Sequence, residues 1–232
     1  MLGPEHPDTL SSRSNLAIAL DNQGKRAEAE KEDREVLKLR EKVLGAEHPA
    51  VIESRINLAA ALEGEGKHAE AETELKELIK LEEKILGPTH PHTLGTHHDL
   101  GTAFYRQRKY AEAEAEYREV VKLQEKVLGA DHPDTLRARN NFVAALESGG
   151  KHVEAEAEAR QLVKREEDVL GSTDPGTIKT EELLSLILEN EKKYPDVVGL
   201  QKKLVSALLQ HESPDQRSQL VTQYNSLCWY DY

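Results

Sequence analysis

Histidines at 6, 48, 90 and 132 recur at a constant spacing of 42 residues, each followed by proline: His6-Pro7, His48-Pro49, His90-Pro91 and His132-Pro133. Imidazole is a common metal ligand, so a histidine column invites a metal reading. The spacing argues against it. Packed helices lie ~8–10 Å apart, whereas a Zn–N bond is about 2 Å. Four equivalent histidines on successive units cannot share one ion, and a structural role at a helix start is expected for them. A denser group is His97-His98-Asp99. Neighbouring helical residues point in different directions, and the group lacks the His-Glu-x-x-His spacing of a zinc protease. A metal-dependent enzyme is therefore the remote reading. The sequence shows no glycine-rich phosphate loop, no Gly-x-Ser-x-Gly elbow and no Cys–His pair. A non-enzymatic protein without cofactor or metal is expected.

The elements that carry these residues follow from the repeat. Leu-Gly pairs start at 2, 44, 86, 128 and 170, each step being 42 with no insertion. A fixed period of this size is the signature of stacked helical or strand units. Each His-Pro opens a first helix, A, because proline suits the first helical position. Asp8, Asp134 and the threonines at 9, 93, 135 and 177 fall in its first turn, where free N–H groups need partners. Helix A carries an apolar stripe, Leu10, Leu16, Ala17 and Leu20 in the first unit and Leu94, Leu100, Gly101 and Phe104 in the third. It ends at a glycine turn, Gly24-Lys25, Gly66-Lys67 and Gly150-Lys151. The third unit has Gln107-Arg108-Lys109 there, and a stiffer turn is expected. A longer helix B of about 18 residues runs on to the next Leu-Gly. Its outer face is Glu, Lys and Arg, read as solvated. Neither helix can bury its stripe alone, so neighbours must stack.

The repeated elements Asn15-Leu16-Ala17 and Asn57-Leu58-Ala59, Gly24-Lys25-Arg26-Ala27-Glu28-Ala29-Glu30 with its copy from Gly66 to Glu72, and Leu-Gly-x-x-His-Pro resemble the tetratricopeptide repeat, in the long form found in kinesin light chains. The resemblance implies an all-α, right-handed α-solenoid of antiparallel helix pairs. Four units fall at about 2–43, 44–85, 86–127 and 128–169. A degenerate fifth, 171–211, has Asp174 for His and Leu183 for Asn, and Tyr194-Pro195 stands where the Gly-Lys turn is expected. It reads as a cap. Residues 212–232 read as a further covering helix and a tail, Cys228-Trp229-Tyr230-Asp231-Tyr232, with no assigned role.

In this family helix A lines a concave groove, and the resemblance implies that the asparagine of Asn-Leu-Ala faces it and bonds an extended peptide. The positions here are Asn15, Asn57, Asp99 and Asn141. The chemistry is suitable, since an amide offers a donor and an acceptor to any peptide unit. Bracing between adjacent helices is the competing role. Two residues earlier stand Arg13, Arg55, His97 and Arg139, which can hold acidic side chains or pair with neighbouring helices. Asp99 breaks the amide column, and Tyr105 and Arg106 enrich the same unit. The third unit is thus the expected specificity pocket, with Phe104 read as core. A related subclass clamps a C-terminal carboxylate with Lys and Asn. Ser11, Ser14, Glu53 and Gly95 stand here instead, which disfavours that ligand.

Composition bounds the partner. The 232 residues are 38% hydrophobic and 4% aromatic, with a net charge of -12. An acidic balance disfavours nucleic acid and an anionic membrane surface, and favours a basic or neutral protein partner. One cysteine excludes an internal disulfide. No apolar run approaches a membrane span and no signal peptide is visible, so a cytoplasmic protein is expected. The chain begins inside its own motif, at Leu2-Gly3, and the sequence does not tell whether it is a piece of a longer parent. The expected function is a protein- or peptide-binding scaffold. The alternative is an oligomerisation or spacer module of a larger signalling protein whose groove is filled by self.

Overall fold

The computed structural model describes residues 3–209, and all regular structure among them is α-helical. The order is α1 (Pro7–Asn22), α2 (Arg26–Leu44), α3 (Pro49–Gly64), α4 (His68–Ile85), α5 (Pro91–Arg106), α6 (Tyr110–Leu128), α7 (Pro133–Ser148), α8 (His152–Val169), α9 (Pro175–Asn190) and α10 (Tyr194–Leu209). Every odd-numbered helix starts on a proline, and the starts at 7, 49, 91, 133 and 175 keep the step of 42.

The histidines explain where these helices begin. Each precedes the proline in extended backbone, and its Nδ1 accepts the N–H two residues on: Asp8, Ala50, His92 and Asp134, at 3.1–3.2 Å. One orphan donor of the first turn is thereby satisfied. Asp174 does the same for Gly176 at 2.8 Å, so the fifth unit departs in sequence while retaining the cap. In the third and fourth units Thr93 and Thr135 add a second tie, each donating to the carbonyl of the preceding Leu-Gly glycine at 2.9 Å.

The A-to-B turn needs one left-handed residue. Gly24, Gly66 and Gly150 supply it at φ 76–78°, while Arg108 and Lys192 adopt φ 60° as non-glycine residues. The fifth-unit turn therefore lies at Lys192-Lys193, the register equivalents of Gly24-Lys25. Tyr194, expected to occupy the turn, is instead the first residue of α10.

Contacts divide the chain into two compact units, Met1–Leu123 and Gln124–Tyr232. Within each, helices pack mainly on their sequence neighbours. The first unit buries Leu10, Val36, Val51, Leu58, Leu62, Leu78 and Leu94. The second buries Leu136, Val143, Leu146, Leu162, Ile187 and Leu188. Leu16 does not join the stripe of helix A: it is 51% exposed, because the α1 stripe is satisfied by Leu10 and Ala17. Its register mates Leu58 and Leu100 are buried, since a preceding helix pair covers them.

The Gly-Lys turn also ties one helix pair to the next. Lys67 donates to Glu30 at 2.5 Å, Lys109 to Glu72 at 2.7 Å and Lys193 to Glu156 at 2.5 Å. The first and last charged residues of Gly-Lys-x-x-Glu-Ala-Glu thus meet across successive pairs. Burial alone would raise the Glu72 carboxyl. Hydrogen bonds from Lys109, Lys76 and Gln107 outweigh it and hold the group at about 2.

Among the described residues no helix is long and apolar enough to cross a membrane. The expected C-terminal helix, Cys228 and the aromatic tail lie outside the described residues.

Candidate functional site

A cavity of about 590 Å3 opens in the first unit between α3 and α5, over α4. Ile56, Ala59 and Ala60 of α3 form one wall, Leu75 and Leu78 of α4 the floor, and Gly95, Thr96, Asp99 and Thr102 of α5 the other wall. Glu63, His92 and Arg106 stand at its margins. Small residues, Ala59, Ala60 and Gly95, are among the lining. A Cβ added to Gly95 would meet nothing within 4 Å. Its register mates Ser11, Glu53 and Arg137 are larger residues, exposed at their own positions. Apolar lining with a few convergent polar groups is the usual make-up of a binding cleft.

Of the residues singled out by sequence, Asp99 and Arg106 line this cavity. Asp99 is exposed, with its carboxylate 3.6 Å from Nδ1 of His98. Arg106 approaches Glu63 at 3.5 Å. Tyr105 packs edge-on against Tyr110, with ring centroids 5.5 Å apart, and is not among the lining residues. Phe104 is buried at 6% exposure. Asn15 is exposed, while Asn57 is half-buried and donates to Ser14 at 3.3 Å across the helix pairs. Asn141 is half-buried in the second unit. Its neighbour Asn140 is the deeper amide, donating to Thr180 at 2.8 Å. Gly95 was already set on the groove-lining helix by the resemblance, whereas lining by Ala59 and Ala60 was not visible in sequence, because small residues leave no mark on a pattern of apolar residues.

The cations two residues before the amides are all engaged by carboxylates. Arg13 donates to Glu32 at 2.5 Å and Glu35 at 2.6 Å. Arg55 donates to Glu74 at 2.8 Å and Glu41 at 2.7 Å. In the second unit Arg139 reaches Glu125 at 3.0 Å and Glu158 at 3.5 Å. His97 takes the same place between Glu116 at 2.9 Å and Glu83 at 3.6 Å. Burial would lower its pKa, but the Glu116 hydrogen bond and the charges of Glu116 and Glu83 raise it above the ordinary histidine value. For Arg55, His97 and Arg139 one carboxylate comes from the partner B helix of the same pair and the other from the preceding B helix. The column clamps three helices together. His97-His98-Asp99 has the same character, and among the described residues no group of three or more His, Cys, Asp or Glu could hold a metal ion.

In the fifth unit the clamp inverts. Glu181 stands at the position of the arginines, only 1% exposed. Burial, then the charge of Glu167, pushes it up to about 7, with Lys203 opposing. Nearby Glu166, at 3% exposure, is also raised to about 7 by burial, against a hydrogen bond from Thr180.

A helix-pair stack with a 42-residue step, histidine caps and Lys–Glu ties defines the class as a tetratricopeptide-type α-solenoid. Tetratricopeptide repeat family models match residues 9–50, and 54–126 together with 93–168. The chain belongs to the tetratricopeptide repeat family, and its repeats are of the kinesin light chain-like type. A Podospora anserina protein described as kinesin light chain-like, with nearly identical repeats of this type, is similar at 25% identity. That match covers 90% of this chain and 99% of the other, with a TM-score of 0.79. BtubC from P. vanneervenii is similar in fold at 16% identity, covering 92% and 84%, with a TM-score of 0.66. MamA from Desulfovibrio magneticus RS-1 is similar in fold at 16% identity, covering 92% and 100%, with a TM-score of 0.61. No curated protein matches the chain in sequence. Repeats of this family make protein-interaction scaffolds.

Proposed function

We propose that the protein is a non-enzymatic scaffold that binds an extended protein segment in the α3–α5 groove of its first unit. The observation that carries this reading is the cavity itself: an apolar floor of Leu75 and Leu78 under walls that include Gly95, Ala59 and Ala60. Rigid, preorganised walls limit the entropy cost of association to that of the incoming segment. Asp99 and Thr102 offer polar partners to its backbone. Asn57, one step earlier, and the exposed Asn15, two steps earlier, extend the polar face within the same unit. Asn141 is the corresponding group of the second unit. Arg13, Arg55 and His97 support this surface by holding the helices in place, and Arg139 ties Glu125 and Glu158 within the second unit.

Selection of displayed random twelve-residue peptides tests the reading. Binders are expected whose affinity collapses in Gly95→Gln while helicity and melting are retained, because glutamine suits a helix better than glycine and fills the groove. Binders that ignore Gly95→Gln would place recognition elsewhere.

A further inference from the structure

We infer that the segment taken by this groove is basic: an apolar anchor side chain flanked by lysine or arginine. The inference rests on the groove reading above and adds the chemistry of the partner.

Sequence offers a column of cations that can hold acidic side chains or pair with neighbouring helices, in a chain whose net charge of -12 favours a basic or neutral partner. The geometry shows the column paired. Arg13 is held by Glu32 and Glu35. Arg55 is held by Glu41 and Glu74. His97 lies between Glu83 and Glu116. Each cation meets two carboxylates and is engaged by them rather than free for a ligand. Among the residues that line the cavity, the carboxylates of Glu63 and Asp99 outnumber the one permanent cation, Arg106. Asp99 puts a carboxylate where Asn15, Asn57 and Asn141 put a neutral amide, and it is 65% exposed. Glu63 stands at the margin, and Arg106, the one permanent cation among the lining residues, lies 3.5 Å from it.

A carboxylate accepts hydrogen bonds and cannot donate them. Asp99 therefore suits an ammonium, a guanidinium or a backbone N–H, and opposes an acidic flank. Complementary charge sets partner choice and encounter rate more than it sets raw affinity. The apolar floor holds the anchor and Asp99 reads what lies beside it.

Three fluorescein-labelled nine-residue peptides test this by anisotropy against the full chain. They share a central Leu-Trp pair and differ only in flanks of lysine, serine or glutamate. The lysine peptide is expected to bind at least about tenfold tighter than the glutamate peptide. That gap should narrow in Asp99→Asn and with added salt, and all binding should vanish in Gly95→Gln. Equal binding of the three probes, still lost in Gly95→Gln, overturns the basic preference and leaves the groove standing. Tighter binding of the glutamate probe overturns it likewise and assigns the reading to Arg106. A preference unchanged by Asp99→Asn removes the residue on which the inference stands and overturns it. Binding by none of the probes overturns both inference and groove. A doubled mass in light scattering that Gly95→Gln halves makes a second copy the occupant, which also overturns it.

Discussion

Tyr117 and Gly101 illustrate how one residue sets the terms for another. Tyr117 is buried and its hydroxyl lies 2.9 Å from that of Thr102. Burial raises its pKa to about 12. A Cβ on Gly101 would come within 2.8 Å of its ring. Alanine is the better helix former by about 1 kcal/mol, but overpacking costs about 1–3 kcal/mol. Gly101→Ala is therefore expected to lower the denaturant midpoint. Adding Tyr117→Leu, the Ala59–Leu75 combination one step earlier, should restore it. A stabilised single variant would show the contact to be slack. Glu181 supplies a second test. Its folded pKa, about 7, lies above the ordinary carboxylate value, so the folded state holds the proton more tightly. The stability from this group is full below the unfolded pKa and is lost as pH rises through about 7. Glu181→Gln should raise the melting temperature at pH 8 by the equivalent of about 1–2 kcal/mol, a few degrees for a chain of this size. At pH 5 it should change little. Melting curves at the two pH values decide it.

At the scale of elements, turns and ties govern stability. A left-handed conformation costs an ordinary residue about 1–2 kcal/mol, partly offset by the unfolded-state freedom that glycine adds. Arg108→Gly should thus stabilise the first unit by up to about 1 kcal/mol, whereas Gly66→Ala should destabilise it by a similar amount. Parallel urea titrations compare them. The Lys109–Glu72 tie should show a coupling of about 1 kcal/mol in a double-mutant cycle. Glu72 is held low, so its contribution is present above the ordinary carboxylate range and fades as pH falls toward about 2. Much of this level was legible in sequence. Proline and histidine marked each helix start, and glycine marked the turns. The period placed Asn57 and Asp99 in register. Long-range pairing was not legible. Nothing in the spacing alone told whether Arg55 faced a ligand or two glutamates, because pairing depends on which B-helix face turns inward. The exposure of Leu16 escaped for a related reason: the same residue type is core or surface according to whether a helix pair precedes it.

At the scale of the molecule two observations meet. Repetition fixes a rigid frame, and departures from repetition create the site. Gly95 and Asp99 differ from their counterparts at Glu53 and Asn57, and both line the cavity. The fold was readable because it depends on what recurs. The site was harder to read because its lining includes small residues, whose grouping becomes visible only when α3, α4 and α5 are placed around it. The central claim is that this groove receives an extended segment. It is tested most directly by backbone amide chemical-shift mapping of the labelled chain with a saturating, selected peptide. Shifts are expected to concentrate at Ala60, Gly95, Asp99 and Thr102, with the outer-face residues Lys80 and Glu119 silent. Shifts centred on the outer faces of the B helices, with the α3–α5 groove unchanged, would contradict it.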